Sequence, residues 1–311
     1  MPVAKRARPW CLHPAMPTAP RDATLARSLV PVLFVLIWAT GFITARYVAP
    51  YAEPLTFVAL RVVGVALVLV AIAFATGARW PRTGAGWRDA LVAGVLMQGC
   101  YVVGVFWAVR NGLPAGIAAL VGSLQPLLTA MLARPLLGEF VSRRRWLGIG
   151  LGFLGAGLVL APKIGAAGAA GIPLPALAAG FGAMVAMTLG TLWQKRTGAD
   201  ADLLANATIQ FVGAIGLALP LALAFGAMRV ESSLPLWLGL AWSVLINSVA
   251  GILLLLVLIR RGAVAGVASL FFLVPPVSAV MAYALFGEVL SPVQVVGMIV
   301  AALGVAVASR G

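Results

Sequence analysis

The sequence predicts an all-α membrane protein: ten transmembrane helices built as two inverted five-helix repeats. Three observations carry that prediction. The first is composition: 62% of the 311 residues are hydrophobic and 10% charged, with a mean hydropathy of +1.07. Soluble domains run at about 45–50% apolar and about 25% charged, and no soluble core of this size buries so much apolar surface. The second is that the apolar residues gather into ten stretches, each close to the ~20 needed to cross hydrocarbon. The third is that the chain resembles itself at an offset of 149 positions.

Residues 1–27 are rich in Arg and Pro, lack an apolar core and carry no cleavage site, so they read as a solvated cytoplasmic leader and not as a signal peptide. The spans follow at about 28–47, 54–76, 87–109, 114–137 and 143–161, then 172–193, 203–225, 234–259, 263–286 and 291–309. A connecting loop at 162–171 divides a first repeat (28–161) from a second (172–309). Strands facing lipid alternate with a period of two, which these runs do not. Helices satisfy their own backbone groups in hydrocarbon, so the spans are helical.

The net charge of +14 then acquires a membrane meaning. With the N-terminus in the cytoplasm, sixteen of the 22 Lys and Arg fall on the inner side, among them Arg79, Arg82, Arg143, Arg144, Arg145, Lys195, Arg196, Arg260 and Arg261. Arg46, Arg110, Lys163 and Arg229 fall outside, and Arg61 and Arg134 within spans. This positive-inside bias puts both termini in the cytoplasm and makes nucleic acid a poor partner.

At the 149-residue offset Gly41 falls on Gly190, Arg61 on Gln210, Pro126 on Pro275, and Gly138-Glu139 on Gly287-Glu288. Five spans per copy force the second copy upside down relative to the first. Inverted repeats are characteristic of secondary transporters, which bind solute near the midplane where the halves meet.

Ten spans in two five-helix repeats, each ending in Gly-Glu before a Gly-rich last helix, resemble the drug/metabolite transporter superfamily in its EamA-type branch. The run Trp38-Ala39-Thr40-Gly41-Phe42, and Pro54-Leu55-Thr56-Phe57 with Arg61, resemble that family's opening motif. The second-repeat equivalent of the Trp38 motif is degenerate (Met187, Thr188, Leu189). The resemblance covers roughly 28–309. It implies that helices 1, 3, 4, 6, 8 and 9 surround a cavity while 5 and 10 pack outside, and that the solutes include amino acids and related metabolites.

The chemistry inside the spans is sparse. All eight acidic residues fall in the leader, in loops or at helix ends, and the single histidine, His13, lies in the leader. No intramembrane proton relay is visible, which predicts facilitated diffusion without proton coupling. Two cysteines, Cys11 and Cys100, form no disulfide or metal framework; neither a metal nor a cofactor is expected. A membrane enzyme acting on lipid would need a metal, a carboxylate pair or an activated nucleophile, and the spans offer none.

The candidate substrate contacts are Trp38, Gln98, Tyr101, Ser123, Gln125, Trp242, Asn247, Phe271 and Tyr283. Gln98 and Asn247 are one offset apart in the third and eighth spans. A pair of amides suits a neutral or zwitterionic solute; an interhelical hydrogen bond is the plainer reading. Tyr101 shares the face of Gln98. Pro126, Pro275 and Pro276 interrupt the fourth and ninth spans, either as fixed kinks beside the cavity or as hinges. Gly41 and Gly190 join them as candidate hinges. Trp107 and Trp193 read as interfacial belt residues, Arg61 as a structural cation, and Glu139–Arg143 as an interfacial ion pair. The closely spaced glycines of the fifth span read as packing within the bundle, with a dimer seam as the alternative.

The sequence therefore predicts an inner-membrane exporter of amino acids, hydrophobic or aromatic ones foremost, working by alternating access as a monomer or weak homodimer. A drug or other metabolite exporter is the alternative, and a membrane-embedded lipid-processing enzyme a distant one.

Overall fold

A computed structural model of the chain describes residues 21–113, 115–166, 173–262, 264–287 and 289–310. Ten helices long and apolar enough to cross a membrane account for nearly all of it. They are α1 (Arg21–Val48), α2 (Pro54–Ala75), α3 (Gly84–Arg110), α4 (in two segments, Ala115–Gly122 and Gln125–Leu137), α5 (Arg143–Ala166), α6 (Leu174–Thr197), α7 (Leu203–Phe225), α8 (Leu234–Arg261), α9 (Val264–Phe286) and α10 (Pro292–Ser309). Ten crossings bring both ends of the described chain to one side, the near face; the opposite side is the far face. Each half has five crossings, so the two halves run through the bilayer in opposite directions.

Helix ends carry the repeat at the level of single residues. Glu53 caps α2 from extended backbone, accepting from Thr56 N at 2.9 Å, with Pro54 in the first turn. Its equivalent, Asp202, caps α7 from Leu204 N and Ala205 N. Gly138 and Gly287 end α4 and the ninth helix in left-handed backbone, at φ 71° and 66°, where a side chain would be strained. Glu139 does not rest as a mere surface partner of Arg143: its Oε2 accepts from Val264 N at 3.0 Å and so caps the first turn of α9. The tight Gly138 turn points that carboxylate across the bundle.

The helices pack in five layers, each pairing one helix from each half: α2 with α7, α3 with α6, α1 with α8, α4 with α9, and α5 with α10. The last pair is joined through glycine. A Cβ on Gly155 would lie 2.3 Å from Ala301 N, and one on Gly304 2.3 Å from Gly152 N. Of the glycines of the fifth helix, Gly148, Gly152 and Gly155 thus pack inside the bundle, while Gly150 and Gly157 meet open space. Without a solvophobic force between helices in lipid, such close backbone approach is what holds them together.

Two boundaries shift most from the sequence expectation. The first helix begins at Arg21, inside the expected leader, because Asp22 to Arg27 contains nothing that breaks a helix. The leader to residue 20 lies outside the described residues. Helix α5 runs on through Pro162 to Ala166, taking up part of the expected connecting loop; a membrane helix tolerates the one backbone bond that Pro162 removes. Gly41 and Gly190, the candidate hinges, mark no break in their helices. Both sit in unbroken helices and serve close approach: a Cβ on Gly41 would lie 2.9 Å from Asn247 Nδ2, and one on Gly190 2.5 Å from Met97 Cγ.

Candidate functional site

The site begins with a proline. Pro126 has no N–H to give the Gly122 carbonyl, and its ring crowds that carbonyl. Helix α4 accordingly stops at Gly122 and restarts at Gln125. Helix α9 yields at the equivalent place, where Leu270–Leu273 tightens into a 3-10 turn ahead of Pro275 and Pro276.

Gln125 sits at the first break with 4% of its surface exposed, and neither its Nε2 nor its Oε1 has a hydrogen-bond partner among the described residues. Ser123 is buried beside it. Such an amide costs about 1–3 kcal/mol for each unmet group, so its retention at this place requires something to answer it. A cavity of ≈ 10 Å³ lies against it, walled by Thr191, Leu255, Ile259, Val267, Ala268 and Phe271 among others. Phe271 meets Trp38 edge-on at 5.2 Å and Phe34 at 5.4 Å. The structure therefore brings Gln125, Phe271 and Trp38 into one cluster.

Gln98 and Asn247 stand in matching distortions, six- and eight-residue π-helical segments at Val95–Cys100 and Ser243–Ala250. Such bulges are frequent at functional sites. The two amides do not pair. Asn247 Oδ1 accepts from the Arg61 guanidinium at 2.9 Å, and its Nδ2 donates to the Ile37 carbonyl at 2.9 Å. Arg61 Nε also donates to Ser248 Oγ at 2.7 Å, and Ser248 donates back five residues to Ser243 O. A guanidinium is the stronger claimant on an amide oxygen. Arg61 thus pins α2 to α8, the structural role expected of it. Gln98, 6% exposed, makes no side-chain hydrogen bond among the described residues, and Tyr101 interacts electrostatically with Arg61.

Trp242 and Tyr283 do not join the Gln125 cluster. Trp242 is 45% exposed and donates its Nε1 to Thr40 Oγ1 at 3.0 Å; Tyr283 is 56% exposed. Sequence reasoning missed a second polar group. Gln210, fully buried on α7, donates to Gln194 Oε1 on α6 at 2.8 Å, while its own Oε1 and Asn206 Nδ2 have no partner among the described residues. The signal was available, since Gln210 occupies the place of Arg61 in the second repeat.

The loops close the two faces differently. On the far face Arg110 pairs with Glu53 at 2.7 Å and with the Phe225 carbonyl at 2.8 Å. Ala52 and Val230 form an antiparallel bridge beside them. Burial raises the Glu53 pKa, but the hydrogen bonds from Thr56 and Leu55 and the Arg110 charge outweigh it and hold the carboxyl below its ordinary value. On the near face Asp202 accepts from Arg79 N at 3.3 Å and is likewise held low, its backbone hydrogen bonds outweighing burial. Arg260, the counterpart of Arg110, binds the Gly198 and Ala201 carbonyls instead of the acid. Lys195 spans the Ile259 and Gly262 carbonyls, 2.8 Å from each. A second cavity, ≈ 50 Å³, opens here.

Both halves of the chain, residues 28–161 and 174–310, match the EamA-like transporter family. The chain belongs to that family. Its relatives agree: it is 25% identical over 260 residues to YvbV of Bacillus subtilis, named as an uncharacterized transporter, covering 81% of each chain. It is 25% identical to YedA of Escherichia coli K12, named as an uncharacterized inner membrane transporter, covering 86% of this chain and 87% of that one. It is 29% identical over 167 residues to PecM of Dickeya dadantii, covering 54% and 52%. One crystal structure shares the fold, with a TM-score of 0.78 over 92% of this chain and 98% of its own at 19% identity. This EamA-type protein is thus a membrane transporter and not an enzyme. Among its described residues no group of three or more His, Cys, Asp or Glu could hold a metal.

Proposed function

We propose that this EamA-type transporter exports amino acids and similar small metabolites across the inner membrane by alternating access, down the solute gradient and without proton exchange. Both termini then lie in the cytoplasm, the near face is cytoplasmic and the far face external. The observation that carries the reading is Gln125. It is a buried amide with both polar atoms unanswered, set at a helix break against Phe271 and Trp38. An amide both donates and accepts, which suits a neutral or zwitterionic solute, and the aromatic wall favours an apolar side chain. Neither cavity holds a metabolite as it stands, since ligand pockets run to about 300–1,000 Å³. The arrangement is a closed one, and transport requires the halves to move.

The absence of acidic residues from the interiors of the spans supports uncoupled flux, and the inner-membrane name of YedA supports the location. The test is counterflow in proteoliposomes against amino acids, nucleotides and cationic drugs. Saturable flux of amino acids, unchanged when the pH gradient is collapsed, is the expected result. Gln125→Leu separates a solute contact from a packing flaw: it should abolish flux while raising thermal stability, because it removes two unmet polar groups. Full flux in that variant would remove Gln125 from the site.

A further inference from the structure

The larger cavity lies outside the Gln125 cluster and has a chemistry of its own. Its wall includes Gln194, Lys195, Ala199, Arg260 and Ile259. Two cations therefore face one near-face hollow, and among the described residues neither has a carboxylate partner. Their hydrogen bonds run to main-chain carbonyls, Ile259 and Gly262 at the end of α8 for Lys195, and Gly198 at the end of α6 with Ala201 in the loop beyond it for Arg260. A helix C-terminus supplies a charge of about −0.5, so it orients each cation without neutralising it. Arg260 Nε is buried with no acceptor among the described residues.

The first repeat shows what such a cation takes when an acid is available. There Arg110 pairs with the capping carboxylate, Glu53. In the second repeat Asp202 spends its oxygens on Leu204, Ala205 and Arg79, and Arg260 goes without. An uncompensated pair of cations in a low-dielectric recess focuses positive potential into it. Its volume is right for a carboxylate or other small oxyanion, and guanidinium is well suited to bind one.

Ile259, 2% exposed, walls this hollow and the Gln125 cavity alike. One apolar side chain is thus common to a cationic recess at the near face and a neutral amide deeper in. We propose that Lys195 and Arg260 form an anion-receiving vestibule, which takes the carboxylate of the transported solute before Ile259 yields toward Gln125. This rests on the reading of the protein as a carrier of amino acids, and it names the group by which they are first held.

The test uses the full chain in nanodiscs, with acetate, acetamide and inorganic phosphate as probes at constant ionic strength. Acetate should raise the unfolding midpoint and acetamide should not. Ala199→Asp places a carboxylate in the vestibule from an exposed position, leaving both cations and their carbonyl bonds in place. It should weaken acetate binding about tenfold, the scale of one charge-assisted hydrogen bond. In counterflow the same variant should raise KM for the transported amino acid about tenfold and leave kcat unchanged. Equal responses to acetate and acetamide, or acetate binding undiminished in Ala199→Asp, would overturn the vestibule. Phosphate binding abolished in that variant with KM untouched would overturn its role in loading and leave a site for free anions. If acetate binding is lost as expected but the chain transports no amino acid, the vestibule stands and the carrier reading falls.

Discussion

The two loop junctions that flank the bundle are built from equivalent residues and end in different chemistry. On the far face Glu53 caps α2 and also clasps Arg110, with the Ala52–Val230 bridge drawn over the top. On the near face Asp202 caps α7 and lets Arg260 go to carbonyls, and a cavity opens between α6 and α8. A twofold copy of one fold has thus been caught with one door latched and the other only leaning shut. The difference teaches that two copies of one fold can close their loop junctions by different chemistry, an ion pair in one and main-chain carbonyls in the other.

The comparison has a built-in control at α5 and α10, where the halves meet alike. Gly155→Val and Gly304→Val each drive a side chain into backbone at 2.3 Å. Both should prevent folding to a similar extent, read as loss of a monodisperse peak in detergent, whereas Gly150→Val, with nothing within 4 Å, should fold. A tolerant Gly304→Val beside an intolerant Gly155→Val would break the equivalence.

The junctions should separate where the zipper does not. Glu53→Ala removes a cap and strands a half-buried guanidinium, costing about 2–3 kcal/mol. Asp202→Ala removes a cap and one exposed bond from Arg79 N, strands no paired cation, and costs about 1 kcal/mol. Thermal unfolding in nanodiscs gives both, and equal losses would dissolve the distinction. Acid provides a second reading. Glu53 is held below its ordinary value of 4.5, so its stabilisation is complete above that pH and fades as pH falls below it. Wild type should lose stability in that window more steeply than Glu53→Gln.

A smaller contrast lies at Arg61 and Gln210. Arg61→Gln gives the first repeat the residue of the second and breaks the charge-assisted bonds to Asn247 and Ser248, costing about 1.5–3 kcal/mol. Gln210→Leu loses one bond to Gln194 and an already unmet oxygen, and should cost under about 1 kcal/mol.

The spans and the repeat were legible in the sequence because hydrocarbon thickness and backbone satisfaction leave few ways to write a membrane helix. Pro126 and Pro275 announced the breaks for the same reason: a missing N–H is a local property. What stayed hidden depends on neighbours. Nothing in the composition of Val95–Cys100 or Ser243–Ala250 marks a π turn. The equal spacing of Gln98 and Asn247 suggested a shared amide pair, yet Arg61, one layer away, claims Asn247. Gly41 and Gly190 read as hinges because glycine permits bending, and their close approaches to Asn247 and Met97 could not be read from the sequence. Glu139 looked like a partner for its own helix, and the turn at Gly138 sends it to α9.

The central claim is that solute crosses only when the far-face latch opens. Ala52 and Val230 already face each other across a bridge, so Ala52→Cys with Val230→Cys places two thiols within reach of a disulfide. Counterflow in proteoliposomes should stop when that disulfide forms and return on reduction. Undiminished flux with the disulfide fully formed would contradict the account.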